Sequence, residues 1–145
     1  MALKSTYQII TQHNLIIEFH KGTLDVDSYI EFKKKLFSDK DFKPGLNYFI
    51  HHKNVTFLTN QTDIKKFVTF LGAHSDSLGK RKVALITNTP NQVVSTTIYK
   101  TMQANLNQEV EIFSTDEAAL NWLIPKSFSI KDLNEILKIL FAEIN

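Results

Sequence analysis

The stretch from Val110 to Leu123 constrains the fold more than any other part of the chain. It reads Val-Glu-Ile-Phe-Ser-Thr-Asp-Glu-Ala-Ala-Leu-Asn-Trp-Leu. A short strand ends at Phe113 and a helix starts at once. Ser114 and Glu117 have the S/T-x-x-E spacing of a capping box, in which each side chain satisfies a backbone donor of the first helical turn. A strand that runs directly into a capped helix is a βα unit, the building block of α/β domains.

The upstream segments supply the other elements. Tyr7 to Gln12 and Leu15 to His20 are β-prone runs separated by His13-Asn14, and asparagine tolerates the positive φ of a tight hairpin turn. In the second run Leu15, Ile17 and Phe19 share one face, while Ile16, Glu18 and His20 share the other. Gly22 is expected to break that strand. Asp25 or Asp27 caps a first helix whose apolar positions are Val26, Tyr29, Ile30 and Phe37, with Leu36 beside them. Pro44-Gly45 precedes a third strand near Leu46 to His52. Asn60 and Asp63 form a capping pair for a second helix, in which Ile64, Phe67, Val68 and Leu71 make a buried stripe. Gly72 to Gly79 reads as a polar loop. Val83 to Ile86 is continuously apolar, as in a central parallel strand covered on both faces. After Pro90, Val94, Ile98 and Met102 recur every four residues on a third helix. The capped junction follows, and Pro125 stops its helix. Ser129 and Asp132 open a last helix with the stripe Leu133, Ile136, Leu137, Leu140, Phe141 and Ile144.

The resulting order is β-β-α-β-α-β-α-β-α, followed by one more helix. It predicts a single α/β domain over residues 1–145 with a mixed, mostly parallel sheet. The composition agrees, with 43% hydrophobic and 22% charged residues in 145, enough for a core in one domain. A net charge of +2 does not argue for nucleic acid, and the basic runs Lys33-Lys34-Lys35 and Lys80-Arg81-Lys82 read as solvated surface. The chain has no cysteine, which removes disulfides, thiolate metal sites and cysteine nucleophiles. Neither a leader-like run nor a stretch of about 20 apolar residues is visible. The expectation is a cytoplasmic protein without a membrane span.

With this order, the chain resembles the SpoIIAA-like (STAS-like) proteins over about residues 7–123. Gly22-Thr23-Leu24 resembles the family's glycine turn after the second strand. Tyr48-Phe49-Ile50 followed by Asn54-Val55 is similar to its central strand and the loop after it. Lys82-Val83-Ala84-Leu85-Ile86 resembles the next strand, and Val110 to Leu123 resembles the ending of the family pattern. The helix at about 129–144 lies outside the resemblance. The resemblance implies a non-enzymatic module that docks on partner proteins, in some cases under control of phosphorylation, and more distant relatives bind lipid-like ligands. Two departures stand out. The acidic residue and arginine that often end the third strand are replaced by His51 and Lys53. The phosphorylatable serine at the start of the second helix has no counterpart in Thr59-Asn60-Gln61-Thr62.

The candidate partner- or ligand-binding residues are Lys53, Asn54, Thr59, Asn60 and Thr62 on the loop after the third strand, with Thr87 and Asn88 on the next loop. Open α/β sheets commonly bind ligands at the carboxyl ends of their strands, and a helix N-terminus suits an anion or a phosphate added at Thr59. The competing reading is that Thr59 or Asn60 simply caps the helix, as these residue types do. His51 and His52 alternate on a strand and point to opposite faces, so they are not expected to share a metal. One of the two is expected to be buried and hydrogen-bonded, the other to face solvent or a partner. No G-x-S-x-G, Walker-type or G-x-G-x-x-G pattern occurs, and no cofactor is expected.

Two functional expectations follow. The first is a non-enzymatic binding or regulatory module acting through a protein partner, with homodimerisation open, because the last helix can cover its own sheet or a second copy. The second is a carrier or sensor of an apolar small molecule, motivated by 11 phenylalanines in a small domain.

Overall fold

The structure is a computed structural model and describes residues 1–125 and 127–145. Two strands, β1 (Lys4–Ile10) and β2 (Leu15–Leu24), form an antiparallel hairpin through a one-turn 3-10 segment, Thr11–His13. Asn14 closes that turn at φ 54°, as its residue type allows. The chain continues through α1 (Val26–Phe37), β3 (Asn47–Phe57), α2 (Gln61–Ala73), α3 (Ser75–Leu78), β4 (Arg81–Ile86), α4 (Pro90–Met102), β5 (Gln108–Phe113), α5 (Asp116–Leu123) and α6 (Ile130–Glu143). The five strands lie in chain order across one sheet, with β1 antiparallel and the rest parallel.

That strand order positions everything else. Each β-α-β step moves one strand in the same direction, and right-handed crossovers of that kind place their helices on one face. α1, α2 and α4 accordingly share a face, with α2 packed between the other two. α5 follows the edge strand β5 and returns beneath β3 and β4, while α6 covers β1 and β2 on the same side. The expected alternation of β2 holds. Leu15, Ile17 and Phe19 join the α5/α6 core, and Ile16 joins the core under the other helices.

Several local expectations change in three dimensions. Gly22 does not break β2, which pairs with β3 as far as Leu24 opposite Phe57, past an irregularity between Phe19 and Lys21. Its φ of 101° carries the strand past the N-terminal residues, and a Cβ there would lie 2.4 Å from the Ala2 carbonyl oxygen. Only glycine suits that close approach. β3 extends five residues beyond His52, so Lys53 to Phe57 are strand rather than loop. The segment from Gly72 to Gly79 holds the end of α2 and the short α3, and its Leu78 is buried.

The α5 cap is Thr115 rather than Ser114. Its hydroxyl accepts from the Ala118 N–H at 3.2 Å, and Glu117 closes no box. Two adjacent hydroxyl residues satisfy the same local rule. The strand selects between them, because Phe113 stays in the ladder opposite Ile86 and leaves two residues to turn the chain. On α4, Val94 faces solvent, and the deeply buried positions are Gln92 and Thr96. The boxes at Asn60/Asp63 and Ser129/Asp132 form as expected. Leu133 and Leu140 of α6 are fully buried against the chain's own sheet, although Phe141 is half exposed.

Candidate functional site

The residues expected at the carboxyl ends of the strands do not converge. Lys53 pairs with Asp116 at 3.5 Å. Asn54 is exposed on β3, and Thr62 is exposed in the first turn of α2. Asn60 exchanges capping bonds with Asp63, at 2.9 and 3.1 Å. Thr87 is buried at the end of β4 and donates its N–H to the Phe113 carbonyl at 2.9 Å. The Asn88 N–H is taken by Gln92 Oε1 at 2.7 Å.

Gln92 explains why this region is closed. Its amide donates to the carbonyls of Lys53 and Val55 at 3.1 and 2.9 Å, and its carbonyl oxygen accepts from Asn88 and Thr89. The side chain therefore clamps α4 to the end of β3 with two bonds and holds the entry to α4 with two more. Ligands enter open α/β sheets where the strand order reverses. Here the order never reverses, so no switch-point crevice forms, and the free space reaches the strand ends beside Leu24, Phe57 and Thr59.

The free space lies instead between the sheet and the α1/α2/α4 layer, as a cavity of about 80 Å³. Its apolar wall includes Leu24, Ile64, Phe67, Leu71, Val83 and Leu85. Thr59 is the member of the predicted site that reaches it, together with Asp63 of the same cap. Tyr29, Lys33, Tyr48, His52, Arg81 and Tyr99 add polar groups to the lining.

A buried polar network borders this cavity. Glu18 and His20 project from β2 and are fully buried; Lys33 comes from α1 and is 4% exposed. Lys33 Nζ donates to Glu18 Oε2. Glu18 Oε1 lies 2.8 Å from His20 Nε2, and His20 Nδ1 lies 2.7 Å from the Ser5 hydroxyl. A carboxylate accepting from Nε2–H sets the neutral tautomer with Nδ1 as acceptor for Ser5. Burial pushes the Glu18 carboxyl up, but Lys33 and His20 overcome it and hold the group ionised, below its ordinary value. Burial lowers the imidazole of His20 and the ammonium of Lys33, against the attraction of Glu18.

Both members of the histidine pair are buried, contrary to the expectation that one faces outward. β3 pairs on both sides at this point, and helices cover both faces. His51 stacks on Phe19 on the α5/α6 side, with ring centroids 4.7 Å apart. His52 lies on the cavity side, 3.3 Å from the Tyr29 hydroxyl through Nε2. Burial holds His51 at about 4 and His52 well below its ordinary value. Among the described residues no His, Asp and Glu side chains group as a metal would require.

Sequence reasoning placed Lys33 and Arg81 in solvated basic runs, but the structure buries both. For Lys33 a signal existed, since it falls four residues after Tyr29 and three before Leu36, on the apolar face of its helix. For Arg81, the first residue of a buried parallel strand, no local pattern marked the difference.

No family model and no curated protein matches the chain. Among solved structures it is similar to the crystal structure of an uncharacterized protein from the DUF3478 family with a SpoIIAA-like fold, from Shewanella loihica PV-4. The two are 15% identical, the match covers 83% of this chain and 93% of that one, and the TM-score is 0.55. The likeness is one of fold, and the chain has a SpoIIAA-like α/β fold. No described helix is long and apolar enough to cross a membrane.

Proposed function

We propose that this SpoIIAA-like domain is a non-enzymatic binding module that takes a small molecule between its sheet and the α1/α2/α4 layer. The observation that carries the reading is the cavity of about 80 Å³ lined mostly by apolar side chains. An engineered apolar cavity of roughly 150 Å³ holds benzene, and a single water needs only about 10–15 Å³. The space therefore suits a compact molecule and not a long acyl chain. The absence of a catalytic reading rests on geometry. His20 is locked between Ser5 and Glu18, and Glu18 is committed to Lys33 and His20, so neither is poised as a general base toward the cavity.

A fragment screen by protein NMR tests the proposal. Binders should shift the amides of Ile50, Phe67 and Tyr99 together, and native mass spectrometry of protein from its own cells should show a retained small mass. If every fragment moved only exposed surface amides, the cavity would have no role as a site.

A second reading, docking on a protein partner, is favoured by exposed apolar side chains on the loop before α2 and at the start of α4. Leu58, Val93 and Val94 are 70%, 43% and 58% exposed. α4 thus walls the cavity with Thr96 and Tyr99 while presenting Val93 and Val94 to solvent. A partner reading that surface would sense occupancy of the cavity. Val94→Glu should abolish capture of such a partner while leaving small-molecule binding intact, and unchanged capture would remove this reading.

A further inference from the structure

We infer that the ligand of this cavity is a small anion with an apolar body, of the short-chain carboxylate class, with its charged end held by Arg81 and Tyr48. The inference rests on the reading that the cavity is the binding site, and it adds the chemistry of the occupant.

Among the described residues, Arg81 is the cation of the lining that no carboxylate pairs. Arg81 is only 6% exposed. It donates to the Gly79 carbonyl at 2.8 Å, and among the described residues no carboxylate lies within ion-pair distance of it. Lys33 lines the same cavity. The carboxylate nearby, Glu18, is already shared between Lys33 and His20. Asp63, the carboxylate in the lining, caps α2 beyond the far end of β3, so Arg81 at the start of β4 has no anion of its own, and a buried charge without a partner is costly to keep.

The neutral polar groups point the same way. The Tyr48 hydroxyl is buried, lines the cavity and has no hydrogen-bond partner. It stands between the two cations. Lys33 Nζ lies over its ring at 4.9 Å. Tyr48 pairs in register with Val83, two residues along the same face of β4 from Arg81. His52 also lines the cavity, with Nδ1 unpartnered. Where Tyr29 donates to Nε2, that Nδ1 carries the ring hydrogen and becomes another free donor. Buried polar groups are rarely left unpaired in folded proteins. A cation would be repelled by Lys33 and Arg81, and a neutral ligand would leave the Arg81 charge uncompensated. A carboxylate accepts from both Arg81 and Tyr48, and the apolar wall of Leu24, Ile64, Phe67, Leu71, Val83 and Leu85 takes its hydrocarbon part.

The test is titration calorimetry with paired probes, propionate against propionamide and butyrate against butyramide, with amide shifts locating each probe. The anions should bind at least tenfold tighter than their amides, with shifts at Tyr48, Ile50 and His52. Arg81→Met should erase that preference. Tyr48→Phe removes an unpaired hydroxyl and should fold at least as well as the parent, so it serves as the second variant and should weaken butyrate several-fold. Equal affinity for anion and amide at the cavity overturns the anion inference and leaves the binding-module reading standing. Binding of none of the four probes overturns both. An anion preference that survives both substitutions overturns the assignment to Arg81 and Tyr48.

Discussion

On the α5/α6 side of the sheet, Leu15, Ile17, Phe49, Ala84 and Ile86 meet Leu120, Leu123, Leu133 and Leu140 in a continuous apolar core. On the α1/α2/α4 side the same strands bring Ile16, Tyr48, Ile50, Val83 and Leu85, but also Glu18, His20, His52 and Arg81. One face is filled mainly by interlocking aliphatic side chains, with His51 stacked on Phe19 among them. The other closes over a cavity and a network of buried charge. The difference separates two tasks on one sheet. A face packed to interior density resists change in volume, whereas the face with free space is the one proposed to bind.

The contrast breaks most visibly at Glu18. Glu18→Ala leaves Lys33 buried without its anion and should cost about 3–5 kcal/mol in denaturant unfolding. The double variant Glu18→Leu, Lys33→Met should recover most of that loss, since a well-packed apolar pair is often no worse than a buried ion pair. A double variant as unstable as the single one would mean that the network holds the face together.

Acid should act next. Burial holds His20, His51 and His52 below their ordinary values, His51 at about 4. Unfolded histidines take up protons near 6.5, so between pH 6.5 and 4 the unfolded state binds more protons than the folded one. Stability therefore rises with pH across that window and is lost as pH falls through it. At about 1.4 kcal/mol per pKa unit, His51 alone accounts for about 3 kcal/mol. The depressed carboxyl of Glu18 adds stability above its unfolded value, lost as pH falls further. Unfolding at pH 7.5, 6 and 5 should show the decline, and His52→Leu should flatten it. Constant stability from pH 7.5 to 5 would contradict the neutral burial of these rings.

Two neighbours on β4 sharpen the comparison directly. Ala84 is fully buried on the packed face, and Val83 lines the cavity. Ala84→Val should cost about 1–3 kcal/mol by overpacking, while Val83→Ile should be neutral or stabilising because the extra methyl has space. The opposite order would assign the packing defect to the wrong face.

The smallest effects belong to the caps. Asn60→Ala on α2 and Thr115→Ala on α5 should each cost about 1 kcal/mol. Asn60→Ala alone should also speed hydrogen exchange along the cavity wall from Ile64 to Leu71.

Much of the architecture was legible because its rules act over a few residues. The alternation of β2, the stripe of α2, the caps at Asn60 and Ser129 and the turn at Asn14 are all local. The candidate site was legible only at Thr59. Its other members were placed by the general tendency of α/β sheets to bind at strand ends, and the closing clamp, Gln92, looked like one more residue of a helix start. Gly22 and Ser114 show the same limit at smaller scale, since a local rule was right about residue type and a strand pairing decided the outcome.

The sequence by itself determined a SpoIIAA-like succession of strands and helices, because hydrophobic period, capping pairs and turn residues specify each element within one or two turns of chain. Only the tertiary structure decided which face would hold the cavity. Glu18 and Lys33 are 15 residues apart, and Tyr48 and Arg81 meet them from β3 and β4. The cavity is the mismatch between a helix layer and a sheet face, and the potential inside it is the sum of charges and dipoles brought from four separate elements. No short stretch of chain encodes either quantity.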